Sequence, residues 1–464
     1  MIRKLALLIL GIACLTACTQ FSADHGFNIV KATSSQHLDQ DLTWVQSDLE
    51  ADRIQQQVNT LLAHPLDIED AVQIALLNNK RLQASFSQLA ISEADFVQAG
   101  RLPNPIISAL RTTQTGNNGT EYKIEQSISF NIFALLSIPQ TRAMTQRQFA
   151  QAQREVSLEV LRVAFETRLA YYNTLAAEEM VHYTKRIQDA AESSAKLAQR
   201  MTELGHFNAL QQAQEQNFYA EAALNVARAQ QVATTHRERL TRLLGLWGQQ
   251  ITFTVPKRLP DLPVHPLDMP DVERTAIAQR LDLQALRLQI EALAQQLGLT
   301  KSTRFINVLE LGPARTLEGT AAQEYKTGYT LSFNLPLFDL GDVKVVRANA
   351  IYMKALNLAA QTAIEVRSEV REAYQNYRAS YDIAQHYRDE IIPIRKRMSA
   401  ENQRRYNGML ISVFDLLDDA RQRISTVNNY IGALRDFWLA ETNLQMALIG
   451  KPRLTEVKLS NVYP

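Results

Sequence analysis

Between Gln140 and Leu204 the chain contains neither glycine nor proline, and Ala, Gln, Arg, Glu and Leu dominate the stretch. Nothing in it turns the backbone, so it reads as one helix. At ~1.5 Å per residue such a helix extends roughly 100 Å, about three times the ~30 Å core of a bilayer. It is too polar for lipid. QRQFAQAQREVSLEVLR, Gln146 to Arg162, sets charges and amides among apolar residues at three- and four-residue spacing. That is the pattern of an amphipathic helix packed on neighbours in water. Gly205 should end it, and a second run from Ala209 to Leu244 should return as an antiparallel hairpin.

The unit is written twice. SFNI from Ser129 returns as SFNL from Ser332, an offset of 332 − 129 = 203. Val163, Glu166, Ala170 and Tyr171 return as Val366, Glu369, Ala373 and Tyr374 at the same offset (366 − 163 = 203), and Gly205 finds Gly408 (408 − 205 = 203). LQA at Leu82 returns at Leu283 (283 − 82 = 201), and LLG ending at Gly245 returns as LIG ending at Gly450 (450 − 245 = 205). A period near 200 is far beyond the ~20–50 residues of a solenoid repeat, so two copies of a whole structural unit are expected. VPKRLPDLPVHPLDMP, Val255 to Pro270, is rich in proline and reads as the linker. The second copy should run from about Asp342 to Gly408 and on to Ile449, with Pro393 kinking its outgoing helix.

Two short segments break the helical pattern. From Tyr122 to Ile132, Tyr122, Ile124, Ile128, Phe130 and Ile132 alternate with Lys123, Glu125, Ser127, Ser129 and Asn131; Gln126 is the one break in the apolar set. From Tyr325 to Leu335, Tyr325, Tyr329, Leu331, Phe333 and Leu335 alternate with Lys326, Gly328, Thr330, Ser332 and Asn334. Successive strand side chains face opposite ways, so each strand has one apolar and one hydrophilic wall. Their lengths suit tilted membrane-spanning strands. Weaker partner strands are expected at Ile106 to Gln114, before TGNNGT, and at Ile306 to Leu311, before GPARTLEGTAAQ. A soluble hairpin packed on helices would show a similar alternation. The ionic and amide wall nonetheless favours a watery lumen at Lys123, Glu125, Lys326 and Ser332, with Tyr122, Phe130, Tyr329 and Phe333 toward lipid. Four strands cannot close a barrel, and an open edge in hydrocarbon leaves backbone groups unsatisfied, so several chains must share one barrel.

The beginning of the chain reads as an export signal: Arg3 and Lys4, an apolar run from Leu5 to Leu15, then Thr16-Ala17-Cys18. Leu15-Thr16-Ala17-Cys18 resembles a bacterial lipobox, in which Cys18 is lipidated and becomes the first mature residue. Thr19 rather than aspartate follows, which implies the periplasmic face of an outer membrane. Cys14 leaves with the signal, so no internal disulfide or thiolate cluster remains. A net charge of +1 without a long basic run gives nucleic-acid binding no support. The 8 histidines show no ligand spacing, and no phosphate loop, dinucleotide fingerprint or nucleophile elbow is present, so neither enzyme nor cofactor is expected. The expected divisions are a signal (1–17), an anchored N-terminal segment (18–66), repeats at 67–254 and 271–450 flanking the linker (255–270), and a tail (451–464).

Two repeats of long helices and a strand hairpin resemble the outer-membrane efflux proteins of TolC type, over roughly Asp67 to Gly450. LPNP (Leu102 to Pro105), LPLFDLGD (Leu335 to Asp342) and RYNGMLISVFDLLDDAR (Arg405 to Arg421) carry the resemblance. It implies a mainly α fold in which helical hairpins form a periplasmic barrel continuing into a trimeric, 12-stranded membrane β-barrel. It also implies a homotrimer serving as exit duct, with a periplasmic adaptor and an inner-membrane pump, of RND type given the lipobox, as partners. Tyr406, Asp415 and Asp418 match the family's periplasmic gate. Gly205, His206, Phe207, Asn208, Gly408, Met409, Leu410, Ile411 and Ser412 fall at the adaptor-docking tips. The chain departs from the family at one place: Gly408 follows Tyr406 by two residues, and Met409 stands where the family has glycine. Gln211 and Gln214 stand in the first repeat where Asp415 and Asp418 stand in the second (415 − 211 = 204). A helical lipoprotein scaffold or an adaptor is the alternative from another class.

Overall fold

A computed structural model describes residues 21–116, 119–305, 308–319 and 323–452. Cys18, Ile306 and part of each expected strand turn therefore lie outside the described residues. These divide into two compact units. The first takes in the described residues within Met1–Val30, Ser87–Val156 and Leu283–Thr362, the second those within Lys31–Phe86, Ser157–Asp282 and Ala363–Pro464.

In chain order the helices before the first strands are α1 (Phe27–Ser35), α2 (Asp48–Leu61), α3 (Ile68–Asn78) and α4 (Lys80–Ala99). Strands β1 (Ile106–Gly116) and β2 (Gly119–Asn131) follow, then α5 (Ile132–Glu203) and α6 (Ala209–Leu244). The same order comes again: α7 (Val272–Gln279), α8 (Leu281–Ser302), β3 (Leu309–Gly319), β4 (Lys326–Phe333), α9 (Asp342–His386), α10 (Ile392–Asn407) and α11 (Val413–Ile449).

The long helix starts earlier than its composition suggests. The stretch free of glycine and proline begins at Gln140, yet α5 begins at Ile132 and carries Pro139 inside it. The Asn131 side chain supplies the start, accepting from the Ala134 N–H at 3.0 Å as an N-cap does. Pro393 acts upstream of itself. The turn Tyr387–Ile391 widens to a π-helix, the Ile392 N–H bonding the Tyr387 carbonyl, and Pro393 falls in the first turn of α10, where its missing N–H costs least.

The first unit holds one antiparallel sheet in the order β1-β2-β3-β4, with β1 and β4 as its edges. Here the sequence expectation needs correction: β3 lies at Leu309–Gly319, so Gly312 and Pro313 stand inside a strand rather than in the turn after it. The β2–β3 ladder breaks between Ser127↔Ala314 and Phe130↔Leu311. Pro313 has no N–H to give there, and a Cβ on Gly312 would run into the Ile128 carbonyl.

The second unit is a helical core. Tyr172 stacks on Trp438 at 5.3 Å, and Phe437, fully buried, meets the rings of Tyr377 and Tyr381. The proline-rich segment is bonded along this core: the Leu267 N–H donates to the Tyr377 hydroxyl (2.8 Å), the Tyr381 hydroxyl to the Val264 carbonyl (2.7 Å) and the Trp438 indole to the Pro260 carbonyl (3.1 Å). Arg280 is buried and neutralised on three sides, by Asp282 through two nitrogens and by Glu369 at 2.7 Å. No helix among the described residues is long and apolar enough to cross a membrane, which says nothing of a β-barrel.

Candidate functional site

Two places carry the residues singled out from sequence: the sheet, and the turns between paired helices. In the sheet, cross-strand partners share a face. The ladder sets Leu110, Glu125, Thr316 and Lys326 side by side, Thr112, Lys123 and Glu318 beside them, and Asn131, Glu310 and Ser332 further along. Lys123, Glu125, Lys326 and Ser332 thus lie on one wall, where Lys123 pairs with Glu125 at 2.9 Å. Tyr122, Phe130, Tyr329 and Phe333 lie on the opposite wall, with Ile107, Ile128 and Leu331. Apart from the half-buried Tyr122 these are exposed. Gln126, the break in the apolar set, faces Arg315 across the ladder and accepts from its Nε at 2.6 Å.

The first helical turn closes on Gly205, whose φ of 76° is left-handed. Its N–H bonds the Thr202 carbonyl at 3.0 Å and the His206 N–H bonds Met201 at 2.8 Å. Asn208 then caps α6 in a reciprocal box with Gln211. The second turn repeats these two bonds, but its left-handed position falls on Met409 (φ 58°), while Gly408 does not adopt it. The Met409 N–H bonds Tyr406 at 2.9 Å and the Leu410 N–H bonds Arg405 at 2.8 Å. Ser412 caps α11 in a box with Asp415. The sequence pairing of Gly205 with Gly408 is therefore off by one: Gly205 corresponds to Met409 (409 − 205 = 204). A non-glycine residue there costs ~1–2 kcal/mol, and with Met409 94% exposed its side chain packs on too little to offset this, so the closing backbone bonds hold it there.

The three aspartates after this turn have separate jobs. The Asp415 carboxylate accepts from the Ser412 hydroxyl (2.7 Å) and N–H (2.9 Å), and these bonds hold its pKa below the ordinary carboxylate value. Asp418, also exposed, accepts from Gln422 at 2.7 Å. Asp419 is 5% exposed and accepts from Ser399 on α10 at 2.6 Å. Tyr406 is 38% exposed and serves the turn through its carbonyl.

Sequence reasoning missed the polar pairs inside the hairpins. Glu215, 2% exposed, accepts from Ser194 at 2.8 Å, matching Asp419 with Ser399. Glu215 also accepts from Arg421 of α11 at 3.0 Å, and that guanidinium lies 4.1 Å from the Phe218 ring centroid. A glutamate amid the polar run QQAQEQ gives no sign of burial. Among the described residues no group of three or more His, Cys, Asp or Glu is placed to hold a metal ion.

No protein-family model matches the chain. The cobalt-zinc-cadmium resistance protein CzcC of Cupriavidus metallidurans is 22% identical over 398 residues, 83% of this chain and 90% of CzcC. CusC, whose crystal structures concern folding and transmembrane channel formation, superposes with a TM-score of 0.70 at 14% identity, covering 82% of this chain and 92% of that one. The outer-membrane channel OprN gives a TM-score of 0.68 at 17% identity, covering 90% and 95%. The chain has the fold of the outer-membrane efflux proteins. The resemblance read from LPNP, LPLFDLGD and the RYNG segment is borne out by this likeness in sequence and in backbone.

Proposed function

We propose that the chain is the outer-membrane exit duct of a tripartite efflux system, built as two tandem repeats and working as a homotrimer. The observation that carries this reading is the sheet, with one ionic wall, one exposed apolar wall and two unpaired edges. Backbone groups on an edge cannot stay unpaired in hydrocarbon. Three copies joined edge to edge satisfy them and form a 12-stranded barrel, with Lys123, Glu125, Lys326 and Ser332 lining the water. A scaffold or adaptor in the periplasm would leave the apolar wall in water. The helical turns, Gly205 to Asn208 and Gly408 to Ser412, are the docking tips for a periplasmic adaptor. An inner-membrane pump, of RND type, supplies energy and chooses the cargo. Cys18 is the lipidation site, and acyl mass on the N-terminal peptide is the check.

Tyr406, Asp415 and Asp418 form the periplasmic gate in this reading. Three copies present two carboxylate rings, since residues three apart on a helix share a face. The test is planar-bilayer conductance of the purified protein, with light scattering to count copies. The wild type should conduct as a trimer, and Asp415→Ala with Asp418→Ala should raise resting conductance and remove block by multivalent cations from the periplasmic side. A conducting monomer would sink the closure argument. Unchanged conductance and block would remove the aspartates from the gate.

A further inference from the structure

The apolar wall of the sheet is not apolar along its whole length. Helices α4 and α5 join the strands at the Ile106 and Asn131 end, so the strand turns point away from them. From that end up to the row of Ile107, Ile128 and Tyr329, the exposed side chains on this wall are apolar; Phe130, Leu331 and Phe333 are among them. The next row toward the turns is Ala109, Gln126, Arg315 and Thr327, and the row after it holds Arg111 beside Ile124 and Leu317. There Ile124 is half-buried and Leu317 buried, so the arginines form the outer surface.

Tyrosine gathers at the same level. The Arg111 guanidinium lies 5.5 Å from the Tyr122 ring centroid, and that of Arg315 lies 4.9 Å from the ring of Tyr325. Tyrosines with cations mark the headgroup level of membrane strands. Arginine on a lipid face is costly at mid-membrane and nearly free of cost at the boundary. Among the described residues neither arginine is paired with a carboxylate, whereas Lys123 on the other wall is. Arg315 spends Nε on Gln126, which leaves the two terminal nitrogens of its fork for a ligand.

We propose that Arg111, Gln126 and Arg315 form a site for the phosphate of a lipid headgroup in the leaflet nearer the strand turns. A guanidinium fork matches a phosphate through paired hydrogen bonds, and a lipid supplies the phosphate at the height where the wall changes character. The inference rests on the exit-duct reading, which sets this wall in a membrane.

The test is native mass spectrometry of the detergent-solubilised protein titrated with lipid A, with the same glycolipid stripped of phosphate, and with inorganic phosphate. The wild type should hold lipid A at least about tenfold more tightly than the stripped lipid. Arg111→Gln with Arg315→Gln should abolish that preference while conductance stays unchanged. Equal binding of both lipids by the wild type, or an unaltered preference in the variant, overturns the inference. Displacement of lipid A by inorganic phosphate would make this an ion site and overturn the lipid assignment. A wild-type protein that does not conduct refutes the duct, and the membrane setting with it.

Discussion

The two helical turns share a backbone and differ in what holds it. Gly205, Asn208 and Gln211 correspond to Met409, Ser412 and Asp415 (409 − 205, 412 − 208 and 415 − 211 all give 204), with the Thr202 and Met201 carbonyls of the first turn matched by those of Tyr406 and Arg405 in the second. Inside the hairpins, Ser194 on Glu215 corresponds to Ser399 on Asp419 (399 − 194 = 205; 419 − 215 = 204). The first turn is relaxed and uncharged: glycine in the left-handed position and amides in the cap. The second is strained and acidic, and the proposed gate lies there. The comparison teaches that one fold-closing scheme tolerates two chemistries, because the scheme is made of backbone bonds.

Glu215 and Asp419 should separate the hairpins most. Glu215→Ala removes the bonds from Ser194 and from Arg421, whose one-third exposed guanidinium can turn to water, and should cost about 2–3 kcal/mol. Asp419→Ala loses one bond from a serine, about 1.5 kcal/mol. The thermal midpoint of the solubilised protein should fall further for the first; equal falls would mean that Arg421 contributes nothing.

Exchanging the left-handed residues should give opposite signs. Met409→Gly relieves ~1–2 kcal/mol of backbone strain, while Gly205→Met adds about as much, since open space around Gly205 leaves only the backbone to object. Amide hydrogen exchange at each turn reads this directly. Slower exchange in Gly205→Met would refute it.

Cap removal should be smaller and nearly equal. Asn208→Ala and Ser412→Ala should each cost about 1 kcal/mol, seen as faster exchange in the first turns of α6 and α11.

The smallest expected difference is in pH. Because Ser412 holds the Asp415 pKa below the ordinary 3.8, the stabilisation is present above that value and is lost only as pH falls through the lower, folded value. Exchange protection at the second turn should therefore hold down to the ordinary carboxylate value and weaken only as pH falls below it, while the amide-capped first turn stays level. Parallel loss at both turns would point to general acid unfolding instead.

Much of this was legible in the residues themselves. Composition free of glycine and proline dictates long helices, and α6 runs from Ala209 to Leu244 as its pattern requires. Alternation dictates strands, and its period of two assigns Lys123 and Tyr122 to opposite walls without reference to any neighbour. Local backbone preference and side-chain period are properties of short segments, so a chain read alone reveals them. The rest needed the third dimension. Glycine and proline read as a turn at Gly312 and Pro313, but pairing with β2 and β4 kept them in strand. The stretch free of glycine and proline begins only at Gln140, but the Asn131 cap opened the helix before it. Gly408 read as the counterpart of Gly205, yet the closing bonds to Tyr406 and Arg405 put Met409 in the left-handed position. Glu215 read as one more polar residue, and only its meeting with Ser194 and Arg421, 21 and 206 residues away, made it a buried anchor. Each depends on which distant atoms arrive, and a hydrogen bond's partner across the fold leaves no mark on the local sequence.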